Sequence, residues 1–558
     1  MNRRSVLHST LPVVVFLCCA IALMGCRSPG NASDLARMAL ARQNIQEIEP
    51  LELTEAPPEP ETPPADVNVP PPPEIELSLP ECRALALENN LRLKAQLIGP
   101  TIAGEALNAE EAKFEAAFFA NANLLKTDQA QGRAIIVDGT PFTYTGVSQV
   151  ERIQADLGVQ VPLRTGGTVT FDLADNRTED LYNVDALLNP SYGNGLTVSV
   201  SHPLLRNAGN WVNTHSIRIA AYSRDIVSAR TKLDIITVLA ALDRAYWRLY
   251  AARRELEVRQ QQYELSQAQL DRARRLVDAG QRAQVEIIRA QAGVAQQLEA
   301  IIVAENTLRD REREIKRVIN KAGLDVQTPT VVVPASEPDP VRYEMEQARL
   351  IRQALRSRME LLELQLQLLQ DASSVDFARN QTLPVASLDY SYNINSTGES
   401  RNESFDMLGT GDFVNHRLGL QVVVPIGNEA AKSRLRQAIY QRRQRLATRA
   451  NREALIELEV LNAIDQVEAN WQRILAARQN TIVNARLFEA EQREFGVGVS
   501  TSTDVLDAQF NFANAQSAEI RALADYQISL VDVAYATGTI LGAARIHWDP
   551  IVPVADAD

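Results

Sequence analysis

The sequence predicts a mainly α-helical chain that also carries transmembrane β-strands, arranged as two copies of a helix-strand-strand-helix plan. Three observations predict it. Apolar residues recur every seven positions over stretches much longer than an ordinary globular helix. Other segments alternate apolar and polar residues with a period of two. Finally, the second half of the chain echoes the first at a fixed offset.

The first element is an export signal. "MNRRSVLHST" places Arg3 and Arg4 ahead of the apolar run "LPVVVFLCCAIALMGC", and this reads as a secretory signal peptide over residues 1–25, too short for a comfortable membrane span. Its ending, Leu23-Met24-Gly25-Cys26, resembles a bacterial lipobox, which implies that Cys26 takes lipid and becomes the mature N-terminus. An ordinary cleaved signal peptide is the alternative. Residues 26–80 then read as a lipid-anchored N-terminus and linker. From residue 50 the run "PLELTEAPPEPETPPADVNVPPPPEIELSLP" has no apolar period and suits an extended tether of roughly 3 Å per residue.

The body beyond it falls into a first repeat, 81–325, a second repeat, 341–546, and a tail, 547–558. "RALALENNLRLKAQ" finds an echo in "IRQALRSRMELLELQ", and "GQRAQVEIIRAQ" (280–291) lies without a gap on "GVSTSTDVLDAQ" (498–509). The same offset places Leu242, Leu249, Leu256, Tyr263, Leu270 and Val277 on Val460, Val467, Ile474, Thr481, Phe488 and Phe495, so the heptad itself is duplicated. Ile287, Val294, Ile301, Leu308 and Ile315 continue the spacing after the glycine. Each copy is thus a long helix, a glycine turn and a helix returning antiparallel. Residues 212–279 as one helix would extend about 100 Å.

Between the helices the period changes. Leu196, Val198 and Val200 alternate with Thr197, Ser199 and Ser201, while Leu418, Leu420, Val422 and Val424 share one face. "PVASLDYSYNIN" and "AAFFANANL" alternate in the same way, as barrel strands do. A further hairpin, 152–175, turns through "RTGGT" and has no counterpart in the second copy; its place, in a barrel or outside the membrane, stays open. Two strands per copy make four per chain, too few for a barrel, since about eight are needed and strand edges cannot face lipid. A dimer would supply eight strands and a trimer twelve.

Composition removes other classes. The 558 residues are 5% aromatic and 23% charged with a formal net charge of −13, which suits long helices and excludes a nucleic-acid partner. Cys18 and Cys19 leave with the signal, Cys26 takes lipid and Cys82 is alone, so no disulfide framework or thiol metal site is expected. His202, His215, His416 and His547 lack metal spacing, and no nucleophile elbow, phosphate loop or dinucleotide fingerprint is present. Neither an enzyme, a cofactor nor a metal is expected. After residue 26 no apolar run approaches the length of a membrane helix, so any spanning must be by strands.

The signal with its lipobox, the duplicated plan, "HPLL" and "VPIG" at strand-to-helix junctions and the glycine turn into "DVLDAQ" resemble the TolC-type outer-membrane efflux proteins over roughly residues 77–546. The resemblance implies a homotrimer in the bacterial outer membrane, with a twelve-stranded β-barrel continued by a coiled-coil α-helical barrel through the periplasm. It implies an exit duct for an efflux or type I secretion system, coupled through a periplasmic adaptor to an inner-membrane transporter. It also places Asp504 and Asp507 at the periplasmic constriction, where rings of negative charge favour cations. Glu286 and Arg289 are their counterparts in the first copy, and Arg289 is a candidate partner for an aspartate of a neighbouring helix. Gly280, Gly498, Val499 and Ser500 become the tips on which the adaptor docks. Some relatives carry an arginine just after the second glycine to lock the closed end; Ser500 stands there, and a leakier resting state is expected. Read from the residues alone, Asp504 and Asp507 also suit a first helical turn, as capping acids. The competing class is a lipid-anchored coiled-coil scaffold that transports nothing.

Overall fold

The computed structural model describes residues 72–181 and 188–546, within the unit that begins at Pro72. The signal peptide, Cys26, most of the linker and the tail lie outside the described residues.

Order begins earlier than the proline-rich composition suggested. Strand β1 (Glu74–Leu77) lies within the stretch read as a tether, and it pairs in parallel with β6 (Val331–Pro334), which joins the two halves of the chain. The pairing partner is more than 250 positions away, so local composition could not reveal it. Helix α1 (Leu79–Asn89) follows directly, started by a capping box between Ser78 and Glu81 with Pro80 in the first turn. Asn90 ends it and caps α2 (Leu91–Leu97), its side chain accepting from the Leu93 amide at 3.1 Å. α3 (Gly99–Glu111) then leads to the sheet.

The sheet corrects the strand count. β2 (Ala117–Val137), β3 (Thr140–Pro162), β4 (Thr168–Asp180), β5 (Ser191–Pro203), β7 (Val385–Gly398) and β8 (Val414–Val423) form one antiparallel sheet in the order β2-β3-β4-β5-β7-β8. The chain therefore brings six strands where four were expected, and the unplaced hairpin 152–175 is the β3-β4 corner of that sheet. Its turn fixes the phase. Gly166 sits at φ 94°, and a Cβ there would come within 2.3 Å of the Asn207 carbonyl oxygen, so only glycine fits. The register then sets Phe171 between Val159 and Val198 on one face.

The helical part comprises two long hairpins with short flanking helices. α4 (Asn210–Asn213) precedes α5 (His215–Asp278), which turns into α6 (Val285–Ile319). In the second half α7 (Gln347–Ser357) and α8 (Met359–Asn380) enter the strands, α9 (Arg401–Thr410) bridges them, and α10 (Glu429–Val497) returns as α11 (Ser502–Ala536) and the short α12 (Ile540–Ala543). At 1.5 Å per residue α5 and α10 each extend about 100 Å.

The core sits where α1, α5, α6 and α11 meet β1 and β6. Leu242, Leu249, Ile315 and Ile319 are buried there with Cys82, Ala86 and Val332. The Tyr246 hydroxyl donates to the Leu77 carbonyl (3.1 Å) and accepts from the Ser336 amide (2.8 Å), binding both sides of the β1-β6 pair to α5. Burial pushes the Cys82 thiol up to about 12, so it behaves as a small apolar side chain. A second anchor is ionic. Arg358, 4% exposed, contacts Glu360 (2.7 Å) and Glu459 (2.8 Å) and donates to the Ala536 carbonyl (3.1 Å), while Arg452 reaches both glutamates.

The heptad of α10 holds to its end, where Phe488 and Phe495 are buried, while that of the first hairpin holds in the upper half and drifts below. Leu242, Leu249, Val460, Val467 and Ile474 are buried as spaced. Nearer the turn, α5 buries Gln262, Ser266, Gln269 and Ala273, leaving Tyr263 and Leu270 half-buried. α6 likewise buries Glu286, Ala290, Gly293 and Gln297, leaving Ile287 and Val294 half-buried. A straight helix drifts about 20° per heptad, so the buried stripe passes to the preceding position and becomes polar and small.

Candidate functional site: the tips of the helical hairpins

Both long helices end in the left-handed region, Gly280 at φ 70° and Gly498 at φ 94°. A side chain there would cost about 1–2 kcal/mol. The Gly280 amide donates to the Val277 carbonyl (2.8 Å) and the Gly498 amide to that of Phe495 (3.2 Å), closing each helix end. Beside the turn Phe495 is buried against Phe488, Val505 and Ala508, with Leu276 and Phe512 packed on them.

Arg282 joins the two tips. Its Nη2 donates to the carbonyl oxygens of Phe495 and Ser500, both at 3.1 Å, and its guanidinium lies 4.9 Å from the centre of the Phe495 ring. Arg272 faces the same ring at 5.6 Å. Ser500 does stand just after the second glycine, where some relatives carry an arginine. In the ungapped alignment of the two turns Arg282 is the residue that overlies Ser500. Sequence reasoning had the signal, the internal repeat, and applied it to one copy only.

Ser500 and Asp504 are engaged within the second turn. The Ser500 hydroxyl donates to Glu491 Oε2 (2.7 Å). Asp504 Oδ2 accepts from the Thr501 amide (2.9 Å) and hydroxyl (2.6 Å), and the Thr501 side chain caps the Asp504 amide, a full capping box at the start of α11. Those Thr501 bonds hold the exposed Asp504 carboxyl below its ordinary range. Asp507 is exposed one turn further along the helix, and Val499 is 77% exposed at the tip itself.

Glu286 and Arg289 pair with each other. Arg289 Nη1 donates to Glu286 Oε1 at 2.8 Å along one helix, and its charge also helps to hold the Asp504 carboxyl low. Glu286 Oε2 instead accepts from the backbone amide of Ser502 at 3.0 Å, placing a first-repeat carboxylate at the N-terminus of α11. Burial alone would raise its pKa; the bonds from Ser502, aided by Arg289, outweigh burial and hold it below the usual carboxylate value.

Gly293 was also missed. A Cβ there would lie 2.6 Å from Leu506 Cδ2, so the glycine admits that leucine between α6 and α11. Above, Gln509 Nε2 donates to the Gln262 carbonyl (2.8 Å) and the Ser266 hydroxyl (2.9 Å). Nothing in this region suits a metal: among the described residues no group of His, Cys, Asp and Glu could hold one.

The sheet provides the other functional surface. Phe118, Leu124, Leu418 and Leu420 are between 63% and 73% exposed, all on the same face, while Thr170, Ser199, Ser391 and Arg417 line the reverse. Water does not favour such an apolar face; the hydrocarbon of a bilayer does. Among the described residues no helix is long and apolar enough to cross a membrane.

Comparison with known proteins agrees with this division into an apolar-faced sheet and long helical hairpins. The family described as outer membrane efflux protein matches residues 153–321 and again 350–539. The chain is 22% identical over 341 residues to the outer membrane protein TolC of Vibrio cholerae, covering 60% of this chain and 75% of that protein. It is 22% identical over 364 residues to TolC of Escherichia coli, covering 62% and 70%. Among solved structures the Campylobacter jejuni CmeC outer membrane channel superposes with a TM-score of 0.59 at 15% identity, over 83% of this chain and 86% of that one. Outer-membrane channel proteins are its relatives, it works in outer-membrane transport, and it belongs to the outer membrane efflux protein family.

Proposed function

We propose that three copies of the chain join sheet edge to sheet edge in a closed transmembrane barrel, continued by their helical hairpins as a periplasmic coiled-coil duct. The duct would be the exit stage of a tripartite efflux or type I secretion system, receiving cargo through a periplasmic adaptor from an inner-membrane transporter. The observation that carries this reading is the exposed apolar face of a sheet whose two outer edges are unpaired among the described residues. A lipid-anchored scaffold would leave that face in water.

The helices support the same assembly. Ile288, Ile302 and Val303 on α6, and Leu475, Val483 and Leu487 on α10, are exposed apolar side chains turned away from the core. Neighbouring copies would cover them. The matching turns and heptads of the two hairpins are read as a duplicated repeat, 81–325 and 341–546. Lipid on Cys26 would hold the N-terminus at the same membrane.

At the tips, Gly280, Gly498, Val499 and Ser500 would meet the adaptor, and Asp504 with Asp507 would line the constriction, backed by the Glu286-Arg289 pair. Asp504 can cap its helix and still carry charge into a lumen, because the Thr501 bonds hold it ionised. The test is conductance of the purified protein in planar bilayers beside an Asp504→Asn/Asp507→Asn variant. Cation preference in the parent and its loss in the variant are expected. A trimeric, membrane-inserted sample that conducts with equal preference in both forms removes the acidic constriction; one that never conducts, even with the adaptor added, removes the duct.

A further inference from the structure

We propose that all six strands of each chain enter the membrane barrel and that β2 is the strand that pairs with β8 of the next copy. Three copies of a six-stranded sheet then close on eighteen strands, not twelve. The count of three rests on the trimeric duct proposed above; the identity of the seam does not.

The register carries the argument. Ala120, Leu157, Leu173, Leu196, Ile394 and Val414 lie side by side in one row that crosses the sheet from edge to edge. The next row on that face runs Phe118, Val159, Phe171, Val198, Tyr392 and His416. On the reverse, Phe119, Gly158, Asp172, Thr197, Asn393 and Asn415 form one row, and Ala117, Gln160, Thr170, Ser199, Ser391 and Arg417 another. A one-residue slip anywhere would throw a strand's apolar set onto the wrong face. β2 and β3 are in phase with the other four strands, as lipid-facing strands must be and as a hairpin lying in water or across a lumen need not be.

The apolar band also has the height of a bilayer core. Phe118 to Leu124 and Ile153 to Val161 run roughly 20–26 Å along the strands at about 3.3 Å per residue, against a band of about 25 Å. On β2 and β3 charge begins at the rim, where Lys126 faces Glu151 and Leu125 faces Arg152, and Gln149 donates to Asp128 at 2.8 Å; on β4 it begins two rows nearer the helices, where Asp175 lies in the row of Ala122 and Ala155. β2 and β3 run on past this rim as a two-stranded ribbon, with 21 and 23 residues against 13 in β4 and β5.

The edges decide where the seam lies. β4 is bonded on both sides, along Val150–Pro162 of β3 and along Ser191–Ser201 of β5, so it offers no edge to a second chain. Among the described residues the free edges are those of β2 and β8, and hydrocarbon does not tolerate either unpaired. With strands alternating in direction through an even number, β2 meets a neighbour's β8 antiparallel. The family match is consistent with an inserted hairpin: its second segment opens at residue 350, in the helices before the strands, whereas its first opens at residue 153, inside β3. Barrels of 16–18 strands leave an aqueous channel, so passage through this protein would be limited at the helical tips and not in the membrane.

The test is disulfide trapping in outer membranes. Ala120→Cys on β2 is combined in turn with Leu418→Cys, Leu420→Cys and Val422→Cys on β8, and Leu173→Cys on β4 is combined with the same three. Ala120→Cys/Leu157→Cys, neighbours within one chain, reports that the sheet has formed. Oxidation is expected to link subunits covalently, up to trimers, through at least one β2-β8 pair and through no β4-β8 pair. Linking through β4-β8 alone overturns the inference and leaves the trimeric duct standing with twelve strands. A formed sheet with no link between subunits by either route overturns both.

Discussion

Arg282 donates through one nitrogen to the carbonyl oxygen of Ser500, 218 positions along the chain, and so fastens the turn of the first hairpin to the turn of the second. The contact ties the two tips of one chain, where the spacing of either turn alone shows only a place for the backbone to reverse. Arg282→Ala removes two hydrogen bonds to carbonyl oxygens and a contact with the Phe495 ring, an expected local loss of about 1–3 kcal/mol. Amide hydrogen exchange over residues 495–502 should quicken while α5 exchanges as before. Unchanged exchange would mean that the turn holds itself.

Glu286 makes the same junction sensitive to acid. Its pKa is held below the ordinary carboxylate value, so its contribution to stability is complete above about 4.5 and is lost as pH falls through the lower folded value. Exchange at the Ser502 to Val505 amides should therefore stay flat from pH 7 down to about 4.5, once corrected for intrinsic rates, and rise below it. In Glu286→Gln the step should shrink to the part that Asp504 sets through its bonds to Thr501. A step of the same size in that variant would assign it to another carboxylate.

Gly293 and Leu506 test packing between the hairpins. Gly293→Val forces atoms into the space of the leucine and should cost about 1–3 kcal/mol. Adding Leu506→Ala should recover part of that loss. A thermal-unfolding double-mutant cycle with no coupling between the two sites would show that the helices part without strain.

Arg358 holds the second half of the chain from within. Arg358→Ala leaves the half-buried Glu360 with only Arg452 to face it and strips the donor from the Ala536 carbonyl. The expected loss is about 3–5 kcal/mol, read as a lower unfolding midpoint of the assembled protein. A midpoint within a degree of the parent would show that Arg452 replaces it.

Periodic features were legible in the sequence. The heptads predicted the long helices, and Leu242, Leu249, Val460 and Val467 are buried as their spacing required. Alternation predicted the strands, including the hairpin whose place it could not settle. What it missed was set by distant partners. β1 exists because β6 pairs with it, and "EIEL" inside a proline-rich run carries no local sign of that. The buried stripe of Gln262, Ser266 and Gln269 escaped because a heptad search rewards apolar side chains. Asp504 showed a different limit: its capping bonds to Thr501 follow from sequence spacing, while a role facing a lumen depends on other copies of the chain.

That polar stripe gives the middle of the hairpins different mechanics from their ends. Near the sheet, branched apolar side chains interlock, and sliding one helix would pull each from a fitted hole. Between the sheet and the apolar cluster around Phe495, amides, hydroxyls and alanines meet, with Gln262 Oε1, Gln269 Nε2 and Gln297 Oε1 still without partners. An amide that loses one neighbour finds another a turn away, so relative rotation there exchanges like for like. The hairpins are clamped near the sheet and again at the tips, with a slip joint between.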